Sequence, residues 1–371
     1  MKASEPGRQV LQICHSYSPP FQDCARQYAA LFKDSGYRVT TVFLTGVDNP
    51  AITAEVDSDE VVYLNYRSSA LKGLKLKLIA DIKRITQQQS YQFCIAHRTK
   101  PTYVALMATS LPVLSVHHAF GDFARLGRRL LANAFKSRLT LIGVSNAVCK
   151  DIRSALPAWP EHKIQTLYNR IDLHVVQQGL LSKKAAREQL GFPADARIIA
   201  NVGRLHPDKD QATLIRAFAK ALPQLAAETL LVIIGKGKLE HELKALSQQL
   251  KVSERVIFTG QVAHAKQFFK AFDLFVLSSD HEPFGMVLLE AMAAGVPVIC
   301  SDVGGGAEVV AEVGQTFRLG DSTALSQLLI ASESASAPTP EQAFRVIENK
   351  FSDTAAKQRF FDVILPLVTK L

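Results

Sequence analysis

No two cysteines in this chain stand at metal-ligand or redox-motif spacing. The five present, Cys14, Cys24, Cys94, Cys149 and Cys300, are odd in number and scattered over 371 residues. That argues against a disulfide framework and against structural zinc, and points to a reducing, cytoplasmic compartment. Long apolar runs are also missing. No window approaches 18 uncharged apolar residues, so no membrane-spanning helix is expected. The first residues lack the basic, apolar, small-residue order of a secretory leader. Internal repeats and long low-complexity tracts are absent. Acids are scarce in one region: between Arg67 and Arg138 there are 13 basic residues against only Asp81 and Asp122.

What is present fits an ordinary globular protein, with 47% hydrophobic and 21% charged residues, and a length that favours two domains. The net charge of +9 is uneven. Through Arg170 there are 22 Lys or Arg against 12 Asp or Glu, a net of +10; the remainder holds 21 against 22, a net of −1. A basic surface selects anionic partners, nucleic acid or acidic lipid, and the excess places such a partner on the first half. Short apolar runs at 10–14, 38–44, 60–64, 93–96, 113–116 and 141–144 read as strands separated by helical patterns. The same alternation restarts at 198–202, 230–234 and 256–259. Two doubly wound α/β domains with parallel sheets follow. Leu71, Leu74, Leu78, Ile82 and Ile85 follow helical spacing over 71–85, and residues 123–139 read as a second basic helix. Residues 341–371 look helical.

The most informative stretch is 273–310. Residues 273–277 form an apolar run of strand length, 278–285 a polar loop with Pro283 and Gly285, and 286–294 a helix apolar nearly all round. Gly295 and Pro297 end that helix, and 296–300 reads as the next strand. In such sheets ligands bind where strands run out into loops. Glu290 is the exception inside the apolar helix, expected as a buried carboxylate in need of partners. Glu282 lies in the loop, and Phe284, Gly285, Met286 and Val287 offer backbone N–H groups at a helix start, an anion site.

Glu282 and Glu290, separated by seven residues with Pro283-Phe284-Gly285 after the first, and with Gly295-Val296-Pro297-Val298-Ile299 and Asp302-Val303-Gly304-Gly305 behind them, resemble the signature of the retaining GT-B glycosyltransferases of family GT4. The resemblance extends over most of the chain and is strongest from about residue 200 to 310. It implies a GT-B fold: two Rossmann-like domains facing each other across a cleft. The first, 1–170, binds acceptor and is completed by a C-terminal helix at about 355–371. The second, 171–354, binds a nucleotide sugar.

The resemblance also assigns roles. Gly203-Arg204-Leu205-His206-Pro207-Asp208-Lys209 is similar to the family's Gly-Arg-x4-Lys segment, whose cations clamp the donor diphosphate. Such electrostatic stabilisation needs no metal and is often the largest catalytic contribution. Glu290 is implied to grip ribose hydroxyls. Glu282 is implied to touch donor hydroxyls and to stabilise positive charge developing on the sugar. Val262 contributes a backbone contact to the base. His117, at the end of the run 113–116, matches a histidine that touches the donor sugar. Two adjacent histidines on a strand end point apart, so His117 and His118 are not a zinc site. Gly235-Lys236-Gly237 is a weak phosphate motif that a tight turn explains equally well.

Two departures stand out. Pro19-Pro20 replaces a common Gly pair and removes two N–H donors. Arg170 stands where the interdomain segment usually has Gly, and is strained if that position needs positive φ. The expected activity is retaining, metal-independent transfer of a hexose-type sugar to a glycan or glycolipid, as in envelope polysaccharide or lipopolysaccharide assembly. The two basic helices of the first domain are expected to attach it to the cytoplasmic face of an anionic membrane. Alternatives are a GT-B sugar-nucleotide epimerase or phosphorylase. In a different class stands a basic nucleic-acid-binding protein, although few aromatic residues interleave with its basic ones.

Overall fold

The computed structural model describes residues 8–18, 21–333 and 338–369. The chain divides into two compact units, Met1–Asn169 with Asp353–Leu371, and Arg170–Ser352.

In the first unit β1 (Arg8–Cys14), α1 (Phe21–Ala30), β2 (Tyr37–Phe43), α2 (Pro50–Val56), β3 (Glu60–Tyr63), α3 (Leu76–Gln88), β4 (Tyr91–His97), α4 (Thr99–Ala108), β5 (Val113–His117), α5 (Leu126–Ala134), β6 (Leu139–Gly143), α6 (Asn146–Ala155) and β7 (Ile164–Thr166) alternate along the chain. The strands form one sheet in the order β3-β2-β1-β4-β5-β6-β7, parallel throughout. Strands buried on both faces need continuous apolar sequence, and β5 is buried at all five positions.

The second unit contains α7 (Leu173–Gly179), α8 (Lys183–Leu190), β8 (Arg197–Val202), α9 (Gln211–Ala221), β9 (Thr229–Ile234), α10 (Glu240–Gln249), β10 (Val256–Gly260), β11 (Leu274–Leu277), α11 (Met286–Ala293), β12 (Val298–Ser301), α12 (Gly304–Val310), β13 (Gln315–Phe317), α13 (Ser322–Ala331) and α14 (Pro340–Lys350). Its six strands run parallel in the order β10-β9-β8-β11-β12-β13. Leu214, Ile215 and Phe218 of α9 pack with Leu231 and Ile233 of β9 and Leu325 of α13 in one buried cluster. Each such side chain contributes about 1.5–3 kcal/mol by leaving water. The strand order reverses between β8 and β11, so the loops after these two strands open at a switch point, where doubly wound sheets bind ligands.

The tail, α15 (Asp353–Arg359), a π-turn at Phe360–Ile364 and α16 (Pro366–Thr369), belongs to the first unit. Phe360 is fully buried edge-on to Phe32, with centroids 5.3 Å apart, and Arg359 Nε donates to the Thr166 carbonyl at 2.7 Å. The tail is three successive pieces, α15, the π-turn and α16, rather than one helix.

Three expectations change. The helix read over 71–85 is a 3-10 turn, Ser68–Leu71, followed by α3. Gly73 at φ 61° and Lys75 at φ 57° break the helical phase between them. Leu71, Leu78 and Ile82 are buried as expected, but Leu74 is thrown outward at 70% exposure. The second basic helix is α5, nine residues, because Arg138 is drawn inward: its guanidinium donates to the Thr109 carbonyl at 2.8 Å, to Leu111 at 3.0 Å and to Leu106. Arg170 is not at positive φ; it is 1% exposed, among the largest fully buried side chains. The expected backbone strain there does not arise. Pro19 and Pro20 lie outside the described residues.

Candidate functional site

The loop after β8 spans Gly203 to Asp210. It turns through a 3-10 segment, Pro207–Lys209, and ends at Asp210, whose carboxylate accepts from Thr213 N to cap α9. This fixes where Lys209 points. The loop after β11 runs over it. Asp280 N donates to the Asp208 carbonyl at 3.0 Å, and Ser278 Oγ donates to the Lys209 carbonyl at 2.9 Å. Lys209 Nζ then meets Glu282 Oε2 at 2.8 Å, with side chains 18% and 13% exposed. A largely covered ion pair of this kind is held by its surroundings, and removing one partner leaves an uncompensated charge.

Backbone packing shapes the same corner. Gly305 N donates to the Glu282 carbonyl at 2.8 Å. A Cβ on Gly304, at φ 67°, would fall 2.3 Å from that carbonyl oxygen. Gly304 and Gly305 are therefore glycines because the start of α12 presses directly on the Glu282 loop. The turn after β9 does likewise from the other side: a Cβ on Gly235 would fall 1.9 Å from Gly203 O, and one on Gly237 2.1 Å from Leu205 O. Gly235-Lys236-Gly237 thus packs backbone against the Arg204 loop. Gly235 N donates to the Gly260 carbonyl at 2.9 Å, bringing the end of β10 alongside, with half-buried Val262 just beyond.

Arg204 lies at the open edge, its side chain 71% exposed and 3.2 Å from Asp208 Oδ2. Asp208 Oδ1 also meets His206 Nδ1 at 2.6 Å. Below the loop, Gln211 Nε2 donates to the Arg204 carbonyl at 3.0 Å, and Asn201 Nδ2 donates to Val276 O at 2.8 Å. These two amides are each 1% exposed and tie the two switch-point strands to the loop.

The helix α11 starts at Gly285, φ 96°. Leu288, Leu289, Ala291, Met292 and Ala293 are buried, while Met286, Val287 and Glu290 form a half-exposed stripe. Glu290 is therefore not a core carboxylate, correcting the expectation: at i+4 from Met286 it stands on the one face of α11 that stays open. The N–H groups of Met286 and Val287 belong to the first turn, which has no intrahelical acceptors for them. Phe284 is buried at 2% exposure, edge-on to Phe351 at 5.8 Å. One pKa follows directly: burial first, and the Glu282 and Asp302 carboxylates second, push the Cys300 thiol to about 12, so it is inert.

His117 belongs to the first unit, at the end of β5. It is 1% exposed. Its Nδ1 lies 2.8 Å from Asp122 Oδ2 and its Nε2 2.9 Å from Ser115 Oγ. A carboxylate only accepts, so Nδ1–H donates and Nε2 accepts from the hydroxyl. Burial opposes the charge of Asp122, but the hydrogen bond from His117 and the Arg128 guanidinium outweigh it and hold the carboxyl below its ordinary range. Both ring nitrogens of His117 are thus engaged within the first unit. His118 is the half-exposed ring. It contacts His97 Nδ1 through Nε2 at 3.2 Å and Cys24 Sγ through Nδ1 at 3.6 Å. Burial first, then Arg98, lowers His97 to about 3, and burial followed by His97 and Arg98 lowers His118. Among the described residues no cluster of His, Cys, Asp or Glu could hold a metal ion.

Residues 182–334 match the family model for glycosyl transferases group 1. That segment, 153 of the 371 residues, is similar to this family. An uncharacterized glycosyltransferase of Methanocaldococcus jannaschii is 38% identical over 174 residues, 46% of this chain and 44% of that protein, so the aligned part spans less than half of the relative's length. An N-acetylgalactosamine-N,N'-diacetylbacillosaminyl-diphospho-undecaprenol 4-alpha-N-acetylgalactosaminyltransferase of Campylobacter jejuni is 29% identical over 276 residues, 70% of this chain and 72% of that protein. The crystal structure of Anabaena HepE in complex with UDP superposes with a TM-score of 0.76 at 22% identity, over 96% of this chain and 98% of that one. The fold is GT-B.

The matched group 1 segment includes β8 to α13, and with it Arg204, Lys209, Glu282 and Glu290. Residue type and spacing single out those four. The amides of Asn201 and Gln211, which hold the group 1 loop from beneath, carry no such signal, because a lone buried Asn or Gln looks like any other polar residue until its partners are seen.

Proposed function

We propose that this protein is a retaining glycosyltransferase that moves a hexose-type sugar from a nucleoside diphosphate to a glycan or glycolipid acceptor without a catalytic metal. The observation that supports it most is the Lys209–Glu282 pair at the β8/β11 switch point, beside the first turn of α11. Arg204, Lys209 and the N–H groups at Gly285 to Val287 bind the diphosphate. Glu290, on the open stripe of α11, takes the ribose hydroxyls. Val262 gives its backbone to the base, and Gly203 keeps the loop close.

As the donor binds, Lys209 exchanges Glu282 for the diphosphate. Glu282 is then free to take a sugar hydroxyl and to face the positive charge that grows at the anomeric carbon. The bond from that carbon to the phosphate oxygen breaks, the bond to the acceptor oxygen forms on the same face, and the acceptor's proton passes to the departing phosphate. Cations aimed at the leaving group lower this barrier because its charge develops only as the bond breaks. His117 acts as a support for the end of β5.

The acceptor reading rests on the first unit's basic character and on the Campylobacter relative, whose name carries a diphospho-undecaprenol acceptor. Envelope polysaccharide or lipopolysaccharide assembly at the cytoplasmic face of a membrane is the setting that fits, with α3 and α5 against acidic lipid. No helix among the described residues is long and apolar enough to cross a membrane.

A thermal-shift panel of UDP, GDP, ADP and their sugars tests the donor. One nucleotide should stabilise the protein, and Glu290→Ala and Lys209→Ala should abolish the shift. No response to any of them rejects the reading. Anomeric NMR of the product tests stereochemistry, and an inverted product rejects retention. Turnover of the sugar nucleotide without acceptor would point instead to epimerisation, and dependence on free phosphate to phosphorolysis.

A further inference from the structure

A cavity of about 360 Å³ opens in the first unit between α4 and α5, large enough for part of a small ligand. Its walls are apolar, from Leu106, Phe123, Leu131 and Ala132, and its floor is the hydroxyl pair Thr102–Ser115 beneath His117. Lys75, Lys100, Arg125 and Arg128 line it as well. Arg128 is answered by Asp122 at 3.5 Å, but among the described residues no carboxylate lies within ion-pair distance of Lys75, Lys100 or Arg125. Burial and then the Lys100 charge lower the Lys75 pKa, the mark of cations gathered without an anion. Lys75 is held in place at φ 57°, its ammonium 4.7 Å from the Tyr103 ring centre, while Tyr103 OH donates to the Leu74 carbonyl at 3.2 Å.

A second observation concerns the neighbouring leucines. Leu74 and Leu76, on either side of Lys75, are 70% and 71% exposed, and Leu126 and Leu130 of α5 are 62% and 60% exposed. Among the described residues only Val175, at 60%, matches the least exposed of these four. Three cations without a carboxylate partner among the described residues, Lys75 held by the Gly73 carbonyl at 2.7 Å, select an anion. Four exposed leucines beside them are costly in water and at home in a lipid interface.

We propose that the α4–α5 cavity binds one anionic lipid molecule, its phosphate against Lys75, Lys100 and Arg125 and the start of its chains against Leu106, Phe123 and Leu131. Leu74, Leu76, Leu126 and Leu130 enter the surrounding acyl layer. This deepens the membrane reading given above, from attraction to a charged surface to occupancy of a built site.

The test uses the full chain and a soluble short-chain lipid below its micelle concentration, dihexanoyl phosphatidylglycerol, followed by calorimetry. Saturable one-to-one binding is expected, at least tenfold weaker for dihexanoyl phosphatidylcholine and for glycerol phosphate. Lys100→Ala with Arg125→Ala should weaken it at least tenfold. Leu126→Ser with Leu130→Ser should spare short-chain binding but lower sedimentation with vesicles containing phosphatidylglycerol. These exposed positions leave folding intact, as an unchanged melting temperature would verify. Glycerol phosphate binding as tightly as the lipid would make this a free-phosphate site and overturn the proposal. Vesicle sedimentation without any short-chain binding would overturn the cavity while leaving the surface reading standing, and neither result touches the donor panel.

Discussion

Replacing Glu282 by Gln should move nucleotide binding and turnover in opposite directions. Lys209 is engaged by Glu282 at 2.8 Å, and both side chains are less than one-fifth exposed. On the proposed reading, a diphosphate displaces that carboxylate and then sits beside it. Two unit charges about 6 Å apart at an effective dielectric of about 20 interact by roughly 3 kcal/mol, and partial solvent access reduces this to about 1–2 kcal/mol. Removing the negative charge should therefore tighten binding of the free nucleoside diphosphate by about fivefold to thirtyfold. Transfer should fall at least a hundredfold, because the carboxylate proposed to face the developing positive charge is gone. Isothermal titration with the nucleotide chosen by the thermal-shift panel gives the first quantity, and initial rates at saturating donor give the second. Weaker nucleotide binding in Glu282→Gln would refute the exchange of partners at Lys209. Lys209→Met supplies the matching control: it should weaken the diphosphate about tenfold to a hundredfold and leave an unpaired, largely covered Glu282.

Other perturbations have equally definite signs. Gly304→Ala puts a methyl group into the Glu282 carbonyl at φ 67°; a melting temperature several degrees lower and a loss of turnover are expected, from about 1–2 kcal/mol of left-handed strain plus the overlap. Arg138→Gln removes donors from three carbonyls and should destabilise the first unit by about 2 kcal/mol in a urea titration while leaving vesicle binding of the folded protein unchanged. His97 is held neutral, its folded pKa of about 3 lying below the unfolded value near 6.5. The unfolded chain therefore binds the extra proton, so stability is full above about pH 6.5 and falls by up to about 1.4 kcal/mol per pH unit between there and about pH 3. Denaturant midpoints measured from pH 7 to 4 should show this, and His97→Asn should flatten the slope.

The fold of the second unit was readable because its sequence pattern and its local geometry coincide. Strand, polar loop and apolar helix follow each other between 274 and 293, with Glu282 and Gly285 in the loop that joins them. What could not be read there were consequences of distant packing. Gly235 and Gly237 look like a phosphate turn, yet each is small because another backbone, at Gly203 and Leu205, passes within 1.9 Å and 2.1 Å of where a Cβ would be. Glu290 looks like a core carboxylate because its helix is apolar nearly all round. Only the fold shows that Met286, Val287 and Glu290 share the open stripe. In the first half, the apolar spacing continues through Leu74, but helical phase is lost at Gly73 and Lys75, and positive φ at a lysine has no sequence signature. Likewise Arg138 carries the same formal charge as Lys72 or Arg125, and only its three carbonyl acceptors separate a structural cation from a surface one. His117 ends its strand as expected, but Ser115 and Asp122 take both nitrogens, while the partly covered His118 meets His97 and Cys24.

A crystal of the protein soaked with the stabilising nucleoside diphosphate sugar tests the central claim most directly. The diphosphate should lie within hydrogen-bond distance of Lys209, Arg204 and the N–H groups at Gly285 to Val287, with Glu290 on the ribose and the Lys209–Glu282 contact opened. A nucleotide bound away from the β8/β11 switch point, or bound there with that ion pair intact, would contradict it.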